Sequence, residues 1–187
     1  DLEVPRYDVL QPHYNLYDRH EFEHDLAEIC HEHELAVTPY FALASGFLTG
    51  KYRKHADIAG TAREPFLGDY FDDRGMAILD ALDEVANSHD TTPAAVALAW
   101  LMTRPTVTAP IVSATSNNQL NQLIAATTLE LDFTSIYSHV HFSPYNENYL
   151  SFGHKGEMDS HPSEQLARLF AHNDAVSSQP FNYFDQL

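Results

Sequence analysis

From about residue 20 to residue 34 the apolar side chains Phe22, Leu26, Ile29 and Cys30 fall at helical spacing, with acids and histidines between them. That pattern predicts an amphipathic helix with one face turned to a core. A short strand is predicted before it, over YDVLQPH (7–13). Another follows over Leu35-Ala36-Val37-Thr38-Pro39-Tyr40. ALASGFLTGKY (42–52) reads as a loop of small residues in which Gly46 and Gly50 give the backbone freedom. Residues 53–73 are polar and irregular. A strong amphipathic helix is then predicted over Met76 to Ser88, with Ile78, Leu79, Leu82, Val85 and Ala86 on one face. Thr92 and Pro93 open the next helix, as a capping hydroxyl followed by proline at the first helical position, and it runs to about Met102. TAPIVS (108–113) is a third strand, followed by a helix over 117–126. Strand and helix alternate throughout 7–128, which predicts an α/β fold with parallel strands. Near residue 132 the texture changes: 133–187 is rich in Phe, Tyr, Ser, His and Asn and loses the rhythm. A strand over 136–142 and a short helix over 163–171 are expected there. The chain thus divides into residues 1–132 and an extension, 133–187, that packs on them.

Composition narrows the function. Ten basic against 27 acidic residues give a net charge of −17, which argues against nucleic acid and anionic lipid as partners. No run approaches the ~18 apolar residues of a membrane span. The single cysteine, Cys30, excludes an internal disulfide and suits a reducing cytoplasm. It reads as a buried apolar filler, and Trp100 as a core residue on its Ala- and Leu-rich helix. Asp72-Asp73 reads as a solvated turn.

The histidine content, 12 of 187, raises the prospect of metal binding. His20-Glu21-Phe22-Glu23-His24 fits H-E-x-x-H, in which two imidazoles share a helix face and Glu21 serves as base. A looser site would join His20 and His24 to His139 and His141, whose spacing on a strand points both rings the same way. Zinc or a similar divalent ion held there would activate water for hydrolysis of an ester or phosphotriester. His31-Glu32-His33-Glu34 at the helix end is a further candidate. The plain alternative is a set of scattered surface histidines.

Three blocks carry a resemblance. VLQPHYNLYDR (9–19), VTPYFALASGFLTGKYR (37–53) and TAPIVSATSNNQLNQL (108–123), the last preceded by TPAAVALAWLM, resemble the C-terminal part of an aldo-keto reductase. The likeness is greatest to the bacterial branch related to voltage-gated potassium channel β subunits, and it covers about residues 1–131. It implies the last three βα units of a (β/α)8 TIM barrel. It also implies a site for NADP(H). Gln11 matches the glutamine that bonds the nicotinamide carboxamide, and Tyr40 the aromatic that stacks on the nicotinamide ring. Phe41, Leu43, Ser45, Gly46 and Leu48 match the loop over the pyrophosphate. Ser113, Ala114, Thr115, Ser116, Gln119 and Gln122 match the adenosine end. Leu123 stands where an asparagine is usual, and no basic residue stands where many relatives pair with the 2′-phosphate.

The same resemblance places the family's catalytic Asp, Tyr, Lys and His ahead of this stretch, so the chain is expected not to reduce carbonyls alone. Three strands cannot close a barrel, which points to a homodimer, with or without exchanged segments, or to a wall built from the extension. Metal-dependent hydrolysis of an activated ester or phosphotriester is therefore the activity expected first; the alternatives are a non-catalytic NADP(H)-binding piece in which Gln11 and Tyr40 persist, and a reductase fragment that is inactive or needs a partner half.

Overall fold

The computed structural model describes residues 5–131. His139, His141 and the rest of the expected extension lie outside them. Strand β1 (Val9–Leu10) runs parallel to β2 (Ala36–Val37), with Val9 opposite Ala36 and Leu10 opposite Val37. Parallel bridges extend the ladder from His13 to Tyr40 and from Val37 to Val107. Backbone bonds fill in the remainder. The amides of Ala36, Thr38 and Tyr40 donate to the carbonyls of Asp8, Leu10 and Pro12, each at 2.9 Å. Those of Thr108 and Ile111 donate to Val37 and Pro39 at 2.8 and 2.9 Å. Two of the three expected strands are present, each with a short regular portion; the third, expected over 108–113, is reduced to the bridge at Val107 and the backbone bonds that follow it. Pro12, Pro39 and Pro110 each remove an amide donor from the ladder.

The first helical stretch departs from simple periodicity. Residues 20–32 are helical, but Phe22–Leu26 form a π-helical turn before α1 (Ala27–Glu32), and the Ala27 amide donates to the Phe22 carbonyl, five residues back. One extra residue in the turn shifts the buried stripe. Phe22, Ala27 and Cys30 are buried, and Ile29 is 48% exposed where regular spacing would have turned it inward.

α2 (Glu64–Leu67) is one turn within the irregular 53–73 stretch. α3 (Asp73–Ser88) starts three residues before the apolar stripe announces it, because Asp72 caps it. The Asp72 Oδ1 accepts from the Gly75 amide at 2.7 Å, so the expected solvated turn is a helix start, although its carboxylates stay exposed. Ile78, Leu79, Leu82, Val85 and Ala86 are all buried, as the pattern requires. α4 (Pro93–Met102) is capped by Thr92, and every residue from Ala94 to Leu101 is buried, Trp100 included. An apolar helix with no wet face is the centre of the core, and α3 and α5 (Asn117–Ala125) both lie against it.

Candidate functional site

A cleft of about 630 Å³ opens between the 41–51 loop, the start of α4 and the segment 111–123. The first wall is made by a strained stretch of backbone. Phe41, Ala44 and Ser45 all have positive φ, near 50°, and Gly46 follows at 99°. Such turns are costly for residues with a side chain and cluster at functional sites. The sequence signals the place only through Gly46 and Gly50.

The opposite wall is the start of α5. Ser116 caps it, its hydroxyl accepting from the Gln119 amide at 3.3 Å. The Gln119 Oε1 accepts from both the amide and the hydroxyl of Thr115, at 2.8 and 2.9 Å, which ties the loop to the helix. Of the residues expected at a cofactor site, Phe41, Leu43, Ser45, Gly46, Ser113, Thr115, Gln119 and Gln122 line this cleft. Ser116 is its supporting cap. Gln11 and Tyr40 are not in its lining but stand nearby in sequence or on the ladder, at the C-terminal ends of β1 and β2.

Among the lining residues the sequence reading did not pick out, two are basic: Lys51 and Arg63. They are basic groups facing one cleft on a chain of net charge −17. Lys51 arrives because Gly50 turns the chain with φ of 74°; its ammonium lies 4.6 Å from the Tyr52 ring centroid. A Cβ built on Gly46 would make only an ordinary contact with the Lys51 side chain, so it is the φ of 99° that calls for glycine there. Only the chance that the irregular 53–73 stretch folds back could have marked Arg63.

Beside the cleft, a polar cluster sits at the rim. The Asn15 side chain closes an Asx turn, its Oδ1 accepting from the amides of Tyr17 and Asp18 at 2.8 and 2.9 Å. Its Nδ2 donates to Asp18 at 2.9 Å and to the Phe41 carbonyl at 3.0 Å, joining rim to cleft. The Tyr70 hydroxyl donates to the same Asp18 oxygen at 2.5 Å. Burial, then that hydrogen bond, push the Tyr70 phenol well above its ordinary range.

The candidate metal site is corrected. His20 and His24 do come together, stacked face to face with ring centroids 5.2 Å apart, and Glu21 is exposed beside them. Yet no group of three His, Cys, Asp or Glu able to hold a metal ion exists among the described residues. Cys30 is turned into the core, its thiol pushed up by burial. Glu23 is taken by the Arg19 guanidinium and the Tyr14 hydroxyl, each at 2.8 Å. Among the described residues this histidine pair on a solvated face gains no third ligand.

Comparison with known proteins decides the family. A profile of the aldo/keto reductase family matches residues 2–138. The chain belongs to the aldo/keto reductase family. It is 32% identical over 125 residues to a probable voltage-gated potassium channel subunit beta of Arabidopsis thaliana, covering 63% of this chain and 38% of that one. With Protein tas of Escherichia coli it shares 32% over 131 residues, covering 69% and 38%. With an aldo-keto reductase of Babesia bovis it shares 31% over 134 residues, covering 68% and 47%. Among solved structures it resembles a glycerol dehydrogenase from Gluconobacter oxydans, with a TM-score of 0.61 at 22% identity, covering 85% of this chain and 47% of that one. That likeness shows the fold, an α/β arrangement of the TIM-barrel type. The chain spans little more than a third of the first two of these curated relatives. Membership in an oxidoreductase family overturns the reading as a zinc or other metal-dependent hydrolase with Glu21 as base. Among the described residues no helix is long and apolar enough to cross a membrane.

Proposed function

We propose that this aldo/keto reductase chain holds NADP(H) in the cleft between the 41–51 loop and α5. The observation that carries the reading is the pair Lys51 and Arg63, facing a cleft on an otherwise acidic chain. An acidic protein repels a nucleotide phosphate unless local cations offset the field, and two line the same cleft as the loop matched to the pyrophosphate. The volume, about 630 Å³, is in the range of cofactor sites.

The residues divide the work. Lys51 and Arg63 bind phosphate oxygens by charge. Phe41, Leu43, Ser45 and Gly46 form the close backbone wall on one side. Ser113, Thr115, Gln119 and Gln122 supply polar contacts to the adenosine end on the other. Tyr40 offers its ring, and Gln11 its amide, to the nicotinamide. When bound, the cofactor supplies a hydride donor or acceptor for a carbonyl–alcohol pair.

Titration with NADPH, followed by calorimetry or by the cofactor's own fluorescence, tests it. Saturable binding is expected, weakened roughly 10-fold by Lys51→Ala or Arg63→Ala, since each removes one charge-assisted contact at a solvent-exposed position. Added salt should weaken wild-type binding more than that of either variant. No response at millimolar NADPH would reject the reading.

A further inference from the structure

His13 lies at the end of β1, directly across the parallel ladder from Tyr40. The two rings stack, with centroids 5.3 Å apart and planes 27° from parallel. The Phe41 ring meets the same imidazole edge-on at 5.3 Å. On the far side, the His13 Nε2 stands 3.0 Å from the Asp18 Oδ2. The contact is close but out of line for a hydrogen bond, so this buried nitrogen lacks a hydrogen-bond partner. Asp18 is itself fixed by the Asn15 amide and the Tyr70 hydroxyl. The imidazole is therefore held between a carboxylate and a phenol ring, while Tyr40 keeps 38% of its surface exposed.

We propose that His13 is a positioning residue: it sets the plane of Tyr40, and the charge on its ring biases the site between the oxidised and reduced cofactor. This rests on the reading that NADP(H) occupies the site with Tyr40 against the nicotinamide. Imidazole is the side chain whose class changes charge between about pH 5 and pH 8. An imidazolium on a phenol face is held by the ring quadrupole, and here by Asp18 as well. The oxidised nicotinamide is also a cation and would lie against the other face of Tyr40. Two cations across one ring repel. The reduced nicotinamide is neutral and feels no such term. Protonated His13 thus disfavours NADP+ relative to NADPH. The groups that bear on His13 are Asp18 from the loop after β1, Tyr40 and Phe41 from the end of β2, and Tyr70 through Asp18 from the turn before α3.

The test is the ratio of the NADP+ and NADPH dissociation constants from about pH 5 to pH 8. Titration of the phosphates is common to both forms and cancels in that ratio. In the wild type the ratio is expected to rise several-fold toward acid. In His13→Gln and His13→Phe it should be flat, with NADPH affinity retained in the phenyl variant, which preserves the stack. A second measurement needs no cofactor. The Tyr40 ring carbons, followed by NMR in the free protein, should shift with pH in the wild type and stop doing so in His13→Gln. A flat wild-type ratio, or Tyr40 signals blind to His13, overturns the proposal and leaves cofactor binding standing. Failure of both nucleotides to bind at millimolar concentration overturns it together with the reading beneath it.

Discussion

Arg19 is 5% exposed, which for a guanidinium demands compensation. Its Nε donates to the Glu23 Oε1 at 2.8 Å, and its flat face lies 5.3 Å from the Trp100 ring centroid, with Arg104 also over that ring at 4.7 Å. The Tyr14 hydroxyl donates to the same Glu23 oxygen. Glu23→Ala leaves the buried cation alone and is expected to cost about 3–5 kcal/mol in urea unfolding. Tyr14→Phe, which leaves the ion pair intact, should cost about 1 kcal/mol by the same measurement. Nearby, burial first and the hydrogen bond to Asp72 second push the Tyr17 phenol up to about 12. Free tyrosine ionises near 10. The folded state keeps its proton where the unfolded state has lost it. Tyr17 therefore contributes its full stability below about pH 10 and loses it as pH climbs toward about 12. Denaturant midpoints across that interval should fall less steeply in Tyr17→Phe.

At the level of elements, α3 shows how closely two segments are forced together. A Cβ built on Gly75 would stand 1.8 Å from the Tyr70 carbonyl oxygen and 3.1 Å from the Phe47 ring. Gly75→Ala is expected to destabilise by roughly 3 kcal/mol, read from thermal or urea unfolding, although alanine is the better helix former. Asp72→Ala should cost about 1 kcal/mol through loss of the cap. How far the elements could be read from the sequence follows from the physics of each. α3 and α4 were legible because their burial follows helical spacing and Thr92-Pro93 is a local start signal. The first two strands were legible in place and order but not in length, and the third shrinks to one bridge, because prolines interrupt a ladder whose partner amides lie far away in sequence. The π-helical turn leaves no local mark, so regular spacing alone turns Ile29 to the wrong face. At the cleft, Phe41 to Gly46 and Ser113 to Gln122 could be read as contiguous blocks. Lys51 and Arg63 could not, since only the fold sets them on one cavity. The histidine excess misled, because counting ligands says nothing about whether three of them converge.

For the whole molecule, the short parallel ladder has two outer members. Among the described residues β1 pairs only with β2, and the exposed Tyr7 and Val9 flank or form that edge. On the other side, Ile111 and Val112 are exposed where they line the cleft. The dimer expected from the sequence would cover such an edge. Sedimentation should then show concentration-dependent association that Val9→Lys reduces, and a wild-type chain that stays single at high concentration would count against it. α4 carries the last consequence. A helix enclosed on every side can release its amides only when the surrounding structure opens with it. In deuterium exchange, the stretch from Val96 to Leu101 should be the slowest to label. Its rate should report global unfolding, while the strained 41–46 turn exchanges through smaller, local openings.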